Sequence, residues 1–135
     1  MPRIARCQCG SFNMAVTGEP VMVNMCHCTE CQRRSGVPLT VNAYFNEVDV
    51  KIEGEHKTYS RAGASGGKLH NYFCPICGAT VGWRADLRPG MIGIATGSFN
   101  DKSFPQPAAS IWEDSMYEWV SLPQGVTRFP RARTS

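Results

Sequence analysis

The side chains of this 135-residue sequence that could do chemistry are its cysteine thiols, because they are closely spaced in groups. There are seven, and none stands alone. They form a first pair, Cys7 and Cys9, a trio, Cys26, Cys28 and Cys31, and a last pair, Cys74 and Cys77. The spacings are C-x-C, C-x-C-x-x-C and C-x-x-C. Such short spacings place two sulfurs on one tight turn, where they can occupy adjacent corners of a tetrahedron around a zinc ion.

The spacing alone allows several divisions of these ligands between metal ions. Joining the first pair to the last pair gives a closed four-cysteine site, which would hold structure, and leaves the trio with a position open to water or substrate. Joining Cys28 and Cys31 to the last pair would instead give a zinc ribbon and isolate Cys26. Further alternatives are a redox role for the last pair and a second structural site completed by one of the three histidines. His27 lies between two proposed ligands, so we expect its side chain to point away from them.

Composition restricts the class of protein. The length suits one domain, so we expect residues 1–135 to form a single zinc-binding domain. A chain with 42% apolar and 19% charged residues is typical of a globular protein. The sequence shows neither a membrane span nor the apolar region of a secretory signal, which predicts a cytoplasmic protein. Cysteines stay reduced there, and this favours metal binding over disulfides.

The charge of the chain does not indicate a nucleic-acid partner. The formal net charge is +3, and seven thiolates on two divalent ions would cancel it. Basic residues cluster only near the end, at Arg128, Arg131 and Arg133. We therefore expect neither a nucleic acid nor a membrane among the partners.

Alternating apolar residues, with 13 glycines and 9 prolines, predict many short strands. Residues 12–16 and 21–25 alternate on either side of a turn and predict a β-hairpin. Residues 39–45 and 57–61 predict further strands, and residues 68–73 and 80–84 predict a second hairpin around the last pair. Only residues 29–34 suggest a helix, of about one turn. The predicted fold class is mainly β, a small zinc-binding fold of several short antiparallel sheets with little helix.

Three segments in this order resemble the glutathione-dependent formaldehyde-activating (GFA) family, which includes the centromere protein V group. They are Cys7-Gln8-Cys9-Gly10, the run CHCTECQRRSG that begins at Cys26, and Phe73-Cys74-Pro75-Ile76-Cys77-Gly78. The tail between Trp119 and Pro130 is also similar to the ending of that family. The resemblance spans residues 6–130, and the combined motif is specific to the family.

The resemblance implies that the first and last pairs hold a structural zinc ion. It also implies that Cys26, Cys28 and Cys31 bind a second zinc ion and form the catalytic site. The implied activity is that of a carbon–sulfur lyase similar to S-hydroxymethylglutathione synthase, which adds a thiol such as glutathione to formaldehyde or a related aldehyde. The expected partners are then a small-molecule thiol and an aldehyde. The alternative hypothesis is a non-catalytic, zinc-stabilised β module that binds a protein partner.

Five further residues are candidates for the same site. Arg33 and Arg34 follow the trio and could hold the carboxylates of a peptide-like thiol. Glu30 lies inside the trio and could accept a proton. Trp83 and Trp112 could line a pocket. The simpler interpretations are a solvated basic turn, a surface carboxylate and core aromatics, respectively.

Overall fold

The computed structural model describes residues 2–133, and these residues are mainly β-strands, as predicted. The strands are β1 (Arg3–Arg6), β2 (Asn13–Val16), β3 (Met22–Cys26), β4 (Thr40–Asn46), β5 (Val50–Glu53), β6 (Lys57–Ala62), β7 (Lys68–Phe73), β8 (Thr80–Ala85), β9 (Met91–Ala95), β10 (Ala109–Ile111) and β11 (Thr127–Arg128). Within this range there is one α-helix, α1 (Thr29–Ser35). Short 3-10 helices span Glu47–Asp49, Thr96–Phe99 and Glu113–Ser115. No helix in the described range is long and apolar enough to cross a membrane.

The strands form two sheets. Strands β1, β2 and β5 make a three-stranded antiparallel sheet. The other eight form a sheet in the order β11-β10-β3-β4-β9-β8-β7-β6. Within it β10 runs parallel to both β3 and β11, whereas the remaining neighbours are antiparallel.

The first predicted hairpin, residues 12–16 with 21–25, is wrong. Strand β2 pairs with β1 and β5, while β3 pairs with β4 and β10, so the turn between them leads from one sheet to the other. Alternation reports which side chains of a strand are buried, but it does not identify the partner strand. The second predicted hairpin forms as β7 and β8, with Asn71 opposite Trp83.

One core joins the two sheets. Its side chains come from the three-stranded sheet and from the central strands of the larger sheet. They are Phe12, Met14, Val16, Ala43, Phe45, Val81, Ile92 and Ile94 among others. Cys7 and Cys74 are buried in the same cluster, so two predicted metal ligands lie at the junction of the sheets.

The other face of β4 is polar and faces α1. Thr40, Asn42 and Tyr44 alternate along the strand with core residues, as a period of two requires. Thr40 is the direct cross-strand partner of Cys26 at the end of β3. This face therefore places a row of polar side chains beside the trio.

The close contact between β8 and β9 gives a test of this packing. Gly93 lies directly opposite Trp83, and a Cβ atom at Gly93 would overlap the indole ring. We expect Gly93→Ala to lower the free energy of unfolding by about 1–3 kcal/mol, because overpacking forces the ring to move. Gly97→Ala is the matched control, since a Cβ atom there meets nothing within 4 Å. Thermal unfolding with excess zinc compares the two variants, and equal stability would contradict the packing.

Candidate metal centres and the adjoining cavity

The structure gathers the first and last pairs into one group, the tetrad: Cys7, Cys9, Cys74 and Cys77. All four sulfurs lie within 4.8 Å of one another. The Sγ atom of Cys9 lies 3.7 Å from those of Cys7 and Cys74. A tetrahedron with metal–sulfur bonds of about 2.3 Å has edges of about 3.8 Å, so this spacing suits a four-coordinate metal ion. The zinc-ribbon pairing of the last pair with part of the trio is not found.

Two tight turns present the tetrad. A glycine follows the second cysteine of each turn, and Gly10 and Gly78 have φ values of +86° and +80°. This left-handed backbone is easily adopted only by glycine. The glycine N–H donates to the carbonyl oxygen of the first cysteine, from Gly10 to Cys7 at 3.1 Å and from Gly78 to Cys74 at 2.9 Å. Each turn therefore fixes two sulfurs by local hydrogen bonds.

Hydrogen bonds at the tetrad favour a thiolate at Cys74. The Ser11 hydroxyl lies 3.0 Å from the sulfur of Cys9 and 3.3 Å from that of Cys74. This hydroxyl, followed by the backbone N–H of Cys77, lowers the pKa of Cys74 to about 6. Metal ions bind the thiolate and not the thiol, so these contacts prepare the tetrad for a cation.

The trio is built at the junction of β3 and α1. Cys26 is the last residue of β3, Cys28 is the N-cap of α1, and Cys31 lies in the first turn of the helix. The Cys28 sulfur accepts the backbone N–H of Cys31 at 3.2 Å, in place of the usual oxygen cap. The three sulfurs lie within 4.8 Å of one another, and in the described chain no fourth cysteine, histidine or carboxylate joins them. The trio could therefore hold a metal ion and leave one coordination position open.

Two side chains anchor the loop that carries the trio. The side-chain amide nitrogen of Gln32, with two hydrogens to donate, lies within hydrogen-bond distance of the carbonyl oxygens of three segments: His27 at 3.0 Å, Pro38 at 3.1 Å and Ser115 at 3.0 Å. His27 points away from the trio, as predicted, and its Nε2 lies 2.8 Å from the Ser110 hydroxyl. Burial lowers the pKa of His27, so its ring is neutral at pH 7. These contacts anchor the backbone of the loop and so fix the positions of the three sulfurs.

The three thiols compete for negative charge. Hydrogen bonds from Cys26 and Cys28 lower the pKa of Cys31, and the nearby Arg34 guanidinium adds to this effect. The same contacts, together with burial, raise the pKa of Cys26. Without a cation the three thiols therefore share protons unequally. A divalent cation would replace the remaining protons and allow all three sulfurs to ionise.

The trio forms part of the wall of a cavity of about 540 Å³, the trio cavity. This volume is in the range of small-molecule sites. Five basic, one acidic and three aromatic side chains line it: Arg34, Arg61, Lys68, Arg88 and Arg133; Glu30; Tyr44, Trp83 and Trp112. Glu30 already lies 3.7 Å from Arg61. The cavity is therefore electropositive and suits an anionic ligand.

Two arginines and two aromatic rings form a continuous part of this wall. The Arg34 guanidinium lies 4.4 Å from the Trp83 ring centroid, and that of Arg88 lies 4.9 Å from the Tyr44 centroid. The Trp83 indole N–H donates to the Tyr44 hydroxyl at 3.2 Å. Among the ion pairs of residues 2–133, none involves Arg34 or Arg88. The rings hold both guanidinium groups in place, and apart from the Arg88 Nη1–H, which donates to the Met22 sulfur at 3.4 Å, their N–H groups stay available to a ligand.

Four of the five further candidate residues line the trio cavity: Glu30, Arg34, Trp83 and Trp112. Arg33 does not. Its side chain is 77% exposed and lies 3.9 Å from Glu30 at the surface. Successive residues of a helix point about 100° apart, and here that rotation turns Arg33 toward solvent and Arg34 toward the cavity.

Sequence reasoning missed several cavity residues, among them Asn42, Tyr44 and Arg88. Asn42 is only 4% exposed, and its side-chain N–H points to the sulfur of Cys31 at 3.9 Å. The available signal for Asn42 was a polar residue inside the predicted strand 39–45, at a position that is buried in β4. Arg88 comes from the connection between β8 and β9, where nothing local distinguishes it from a surface arginine.

A protein of known structure has a similar fold. A crystal structure of a Rhodobacter sphaeroides protein, determined as a structural genomics target, matches 96% of this chain and 99% of its own. The TM-score is 0.56 and the sequence identity is 18%. Identity at this level supports a common fold and carries no information on activity. No curated protein matches the chain.

The sequence itself matches a family. The model described as glutathione-dependent formaldehyde-activating enzyme matches residues 2–115. That range contains the tetrad, the trio and every strand from β1 to β10. The chain belongs to the glutathione-dependent formaldehyde-activating family, as its cysteine motifs predict.

Proposed function

We propose that the protein is a zinc-dependent enzyme of the carbon–sulfur lyase type that joins a small thiol, such as glutathione, to formaldehyde or a related aldehyde. The observation that carries the proposal is the position of the trio in the wall of an electropositive cavity. Three sulfur ligands leave room for a substrate atom, whereas a four-ligand site is closed. The description of the family names the same substrates.

In this proposal the tetrad holds a structural zinc ion and the trio holds a second one. All seven cysteines are free of disulfides, and two sets of close thiols suit a thiophilic divalent cation. A zinc ion bound by Cys26, Cys28 and Cys31 would keep a coordinated thiol in its thiolate form at neutral pH. A reducing compartment such as the cytoplasm suits this chemistry, because oxidised cysteines could not bind the metal.

The residues of the trio cavity would bind and orient the thiol. Arg88 and Lys68 supply cations for its carboxylates, and Trp112 supplies apolar surface. The thiolate sulfur then donates an electron pair to the carbonyl carbon, which forms the S–C bond. The π pair of the C=O bond moves to the oxygen, which takes up the proton lost by the thiol. The product is an S-hydroxymethyl thioether, and nothing is oxidised or reduced.

Metal content distinguishes the two groups. We expect Cys31→Ser to lose one zinc ion per chain and to remain folded, because the trio lies within one local segment of the chain. We expect Cys77→Ser to unfold, because a structural zinc contributes its binding free energy to folding. Elemental analysis, a count of free thiols and circular dichroism on the same samples measure both. A Cys31→Ser protein that unfolds or retains both metals would contradict the assignment.

Arg88 tests the binding of the thiol. We expect Arg88→Gln to raise KM for glutathione about tenfold, since a charge-assisted hydrogen bond is lost, and to leave KM for the neutral 2-mercaptoethanol unchanged. Arg33→Gln is the matched control, because that side chain does not reach the cavity. The assay follows adduct formation by NMR and subtracts the uncatalysed rate. A wild-type rate no higher than the uncatalysed rate would favour the non-catalytic module.

A further inference from the structure

The hydroxyl of Tyr44 has a hydrogen that the protein itself does not use. The Tyr44 oxygen accepts the indole N–H of Trp83 at 3.2 Å, and in this bond the hydroxyl donates nothing. Among residues 2–133, no group accepts a hydrogen bond from it. Tyr44 is half-buried and lines the trio cavity. A phenolic hydroxyl can accept and also donate, so its hydrogen is available to a ligand in this cavity.

Strand β4 places Tyr44 close to the trio. Asn42 and Tyr44 lie on the same face of the strand, where alternate residues are about 7 Å apart. The side-chain N–H of Asn42 points to the sulfur of Cys31 at 3.9 Å, so the trio adjoins this face at Asn42. All three residues line the same cavity. A small substrate at the open position of the trio therefore lies beside the part of the wall that Tyr44 forms.

The surroundings of Tyr44 favour a neutral, polarised donor. The Trp83 N–H draws electron density from the hydroxyl oxygen, and hydrogen bonds in a chain strengthen one another. The Arg88 guanidinium lies 4.9 Å from the centroid of the Tyr44 ring, and its positive charge favours partial negative charge on the phenol. Burial raises the pKa of Tyr44, so the hydroxyl keeps its proton at neutral pH.

Packing fixes the position of this hydroxyl. The Tyr44 and Trp83 rings meet edge to face, with centroids 6.3 Å apart, and Trp83 is only 3% exposed. Arg34, which lies over Trp83, also borders a second cavity, of about 520 Å³. That cavity is lined by Cys77 of the tetrad and by no residue of the trio. The donor and the open position of the trio therefore meet in the trio cavity alone.

We propose that Tyr44 is a catalytic residue, whose hydroxyl donates a hydrogen bond and then its proton to the carbonyl oxygen of the aldehyde. This inference rests on the proposed function and names the proton donor of that reaction. The basic side chains of the trio cavity suit the carboxylates of the thiol, whereas a neutral hydroxyl suits an uncharged carbonyl oxygen, which only accepts hydrogen bonds.

The proposed donor completes the chemical step. The thiolate sulfur gives an electron pair to the carbonyl carbon, and the S–C bond forms. The π pair of the C=O bond moves to the oxygen, where the Tyr44 O–H stabilises the charge as it develops. The Tyr44 proton passes to this alkoxide, which is a stronger base than a phenolate. The phenolate then takes up, through water, the proton that the thiol released, so nothing is oxidised or reduced.

Tyr44→Phe removes the donor and keeps the ring. We expect kcat, after subtraction of the uncatalysed rate, to fall about a hundredfold, as for the loss of one positioned proton donor, while KM for glutathione is unchanged. Tyr72→Phe is the matched control. The Tyr72 hydroxyl also accepts an N–H, from Arg84 at 3.2 Å, but Tyr72 does not line the trio cavity, so kcat should stay at the wild-type value.

Trp83→Phe separates the donor from the contact that holds it. This variant also breaks the hydrogen bond between the two rings, but it leaves the Tyr44 O–H in place, so kcat should fall by less than about tenfold. Zinc content and the thermal midpoint are measured for each variant. A loss of activity as large as in Tyr44→Phe would overturn the inference. An unchanged kcat in Tyr44→Phe, or loss of zinc from it, would overturn the inference as well.

Two S-substituted glutathiones test the contact without catalysis. S-acetylglutathione has a carbonyl oxygen on the carbon next to sulfur, and S-ethylglutathione lacks this oxygen. In calorimetry with the zinc-loaded protein, we expect the acetyl compound to bind about fivefold more tightly, the effect of one neutral hydrogen bond. The preference should disappear in Tyr44→Phe and remain in Tyr72→Phe. An equal preference in Tyr44→Phe and the wild type, or no binding of either compound, would overturn the inference.

The two proposals fail in different ways. A wild-type rate no higher than the uncatalysed rate would refute the proposed function and the catalytic role with it. Loss of the acetyl preference in Tyr44→Phe would then still assign the contact with a carbonyl oxygen to Tyr44. A catalysed wild-type rate that Tyr44→Phe retains would refute the inference alone.

Discussion

The crowding of seven sulfur atoms into two groups is the constraint on which the rest of the structure depends. Thiolates less than 4.8 Å apart repel one another strongly in a partly buried environment. The protein alone can keep them close only by sharing protons, as the opposite pKa shifts of Cys26 and Cys31 show. A cation resolves the conflict, so folding of these regions and metal binding are expected to be coupled.

The two groups differ in what they connect. The tetrad takes two sulfurs from the turn between β1 and β2 and two from the turn between β7 and β8, which belong to different sheets. Hydrophobic burial holds the two sheets together but is non-directional. A metal ion at the edge of the core would fix their relative position. The trio comes from six consecutive residues and joins no distant parts. This difference supports a structural role for the tetrad and leaves the trio free for chemistry.

Local features of the sequence were enough to predict the cysteine groups and most strands. A sulfur pair on a tight turn needs only short spacing and a following glycine, and alternation identified the buried face of β4. The pairing of β7 with β8 followed from the position of these two strands on either side of the last pair. Strand partners were less predictable, because β2 and β3 alternate in the same way yet enter different sheets. The cavity residues Tyr44 and Arg88 come from separate elements, and only the folded chain shows that they line the same cavity.

Arg34 shows why position matters more than charge in this site. It follows Arg33 directly, yet the turn of α1 directs Arg33 to solvent and Arg34 over the Trp83 ring. The stacked guanidinium has a fixed plane with N–H groups along its edge, so it can face two cavities at once. A lysine carries the same charge but neither the plane nor the divergent donors. In the proposed function, a fixed cation beside the trio would stabilise a thiolate there, which gives a physical reason for an arginine at this position.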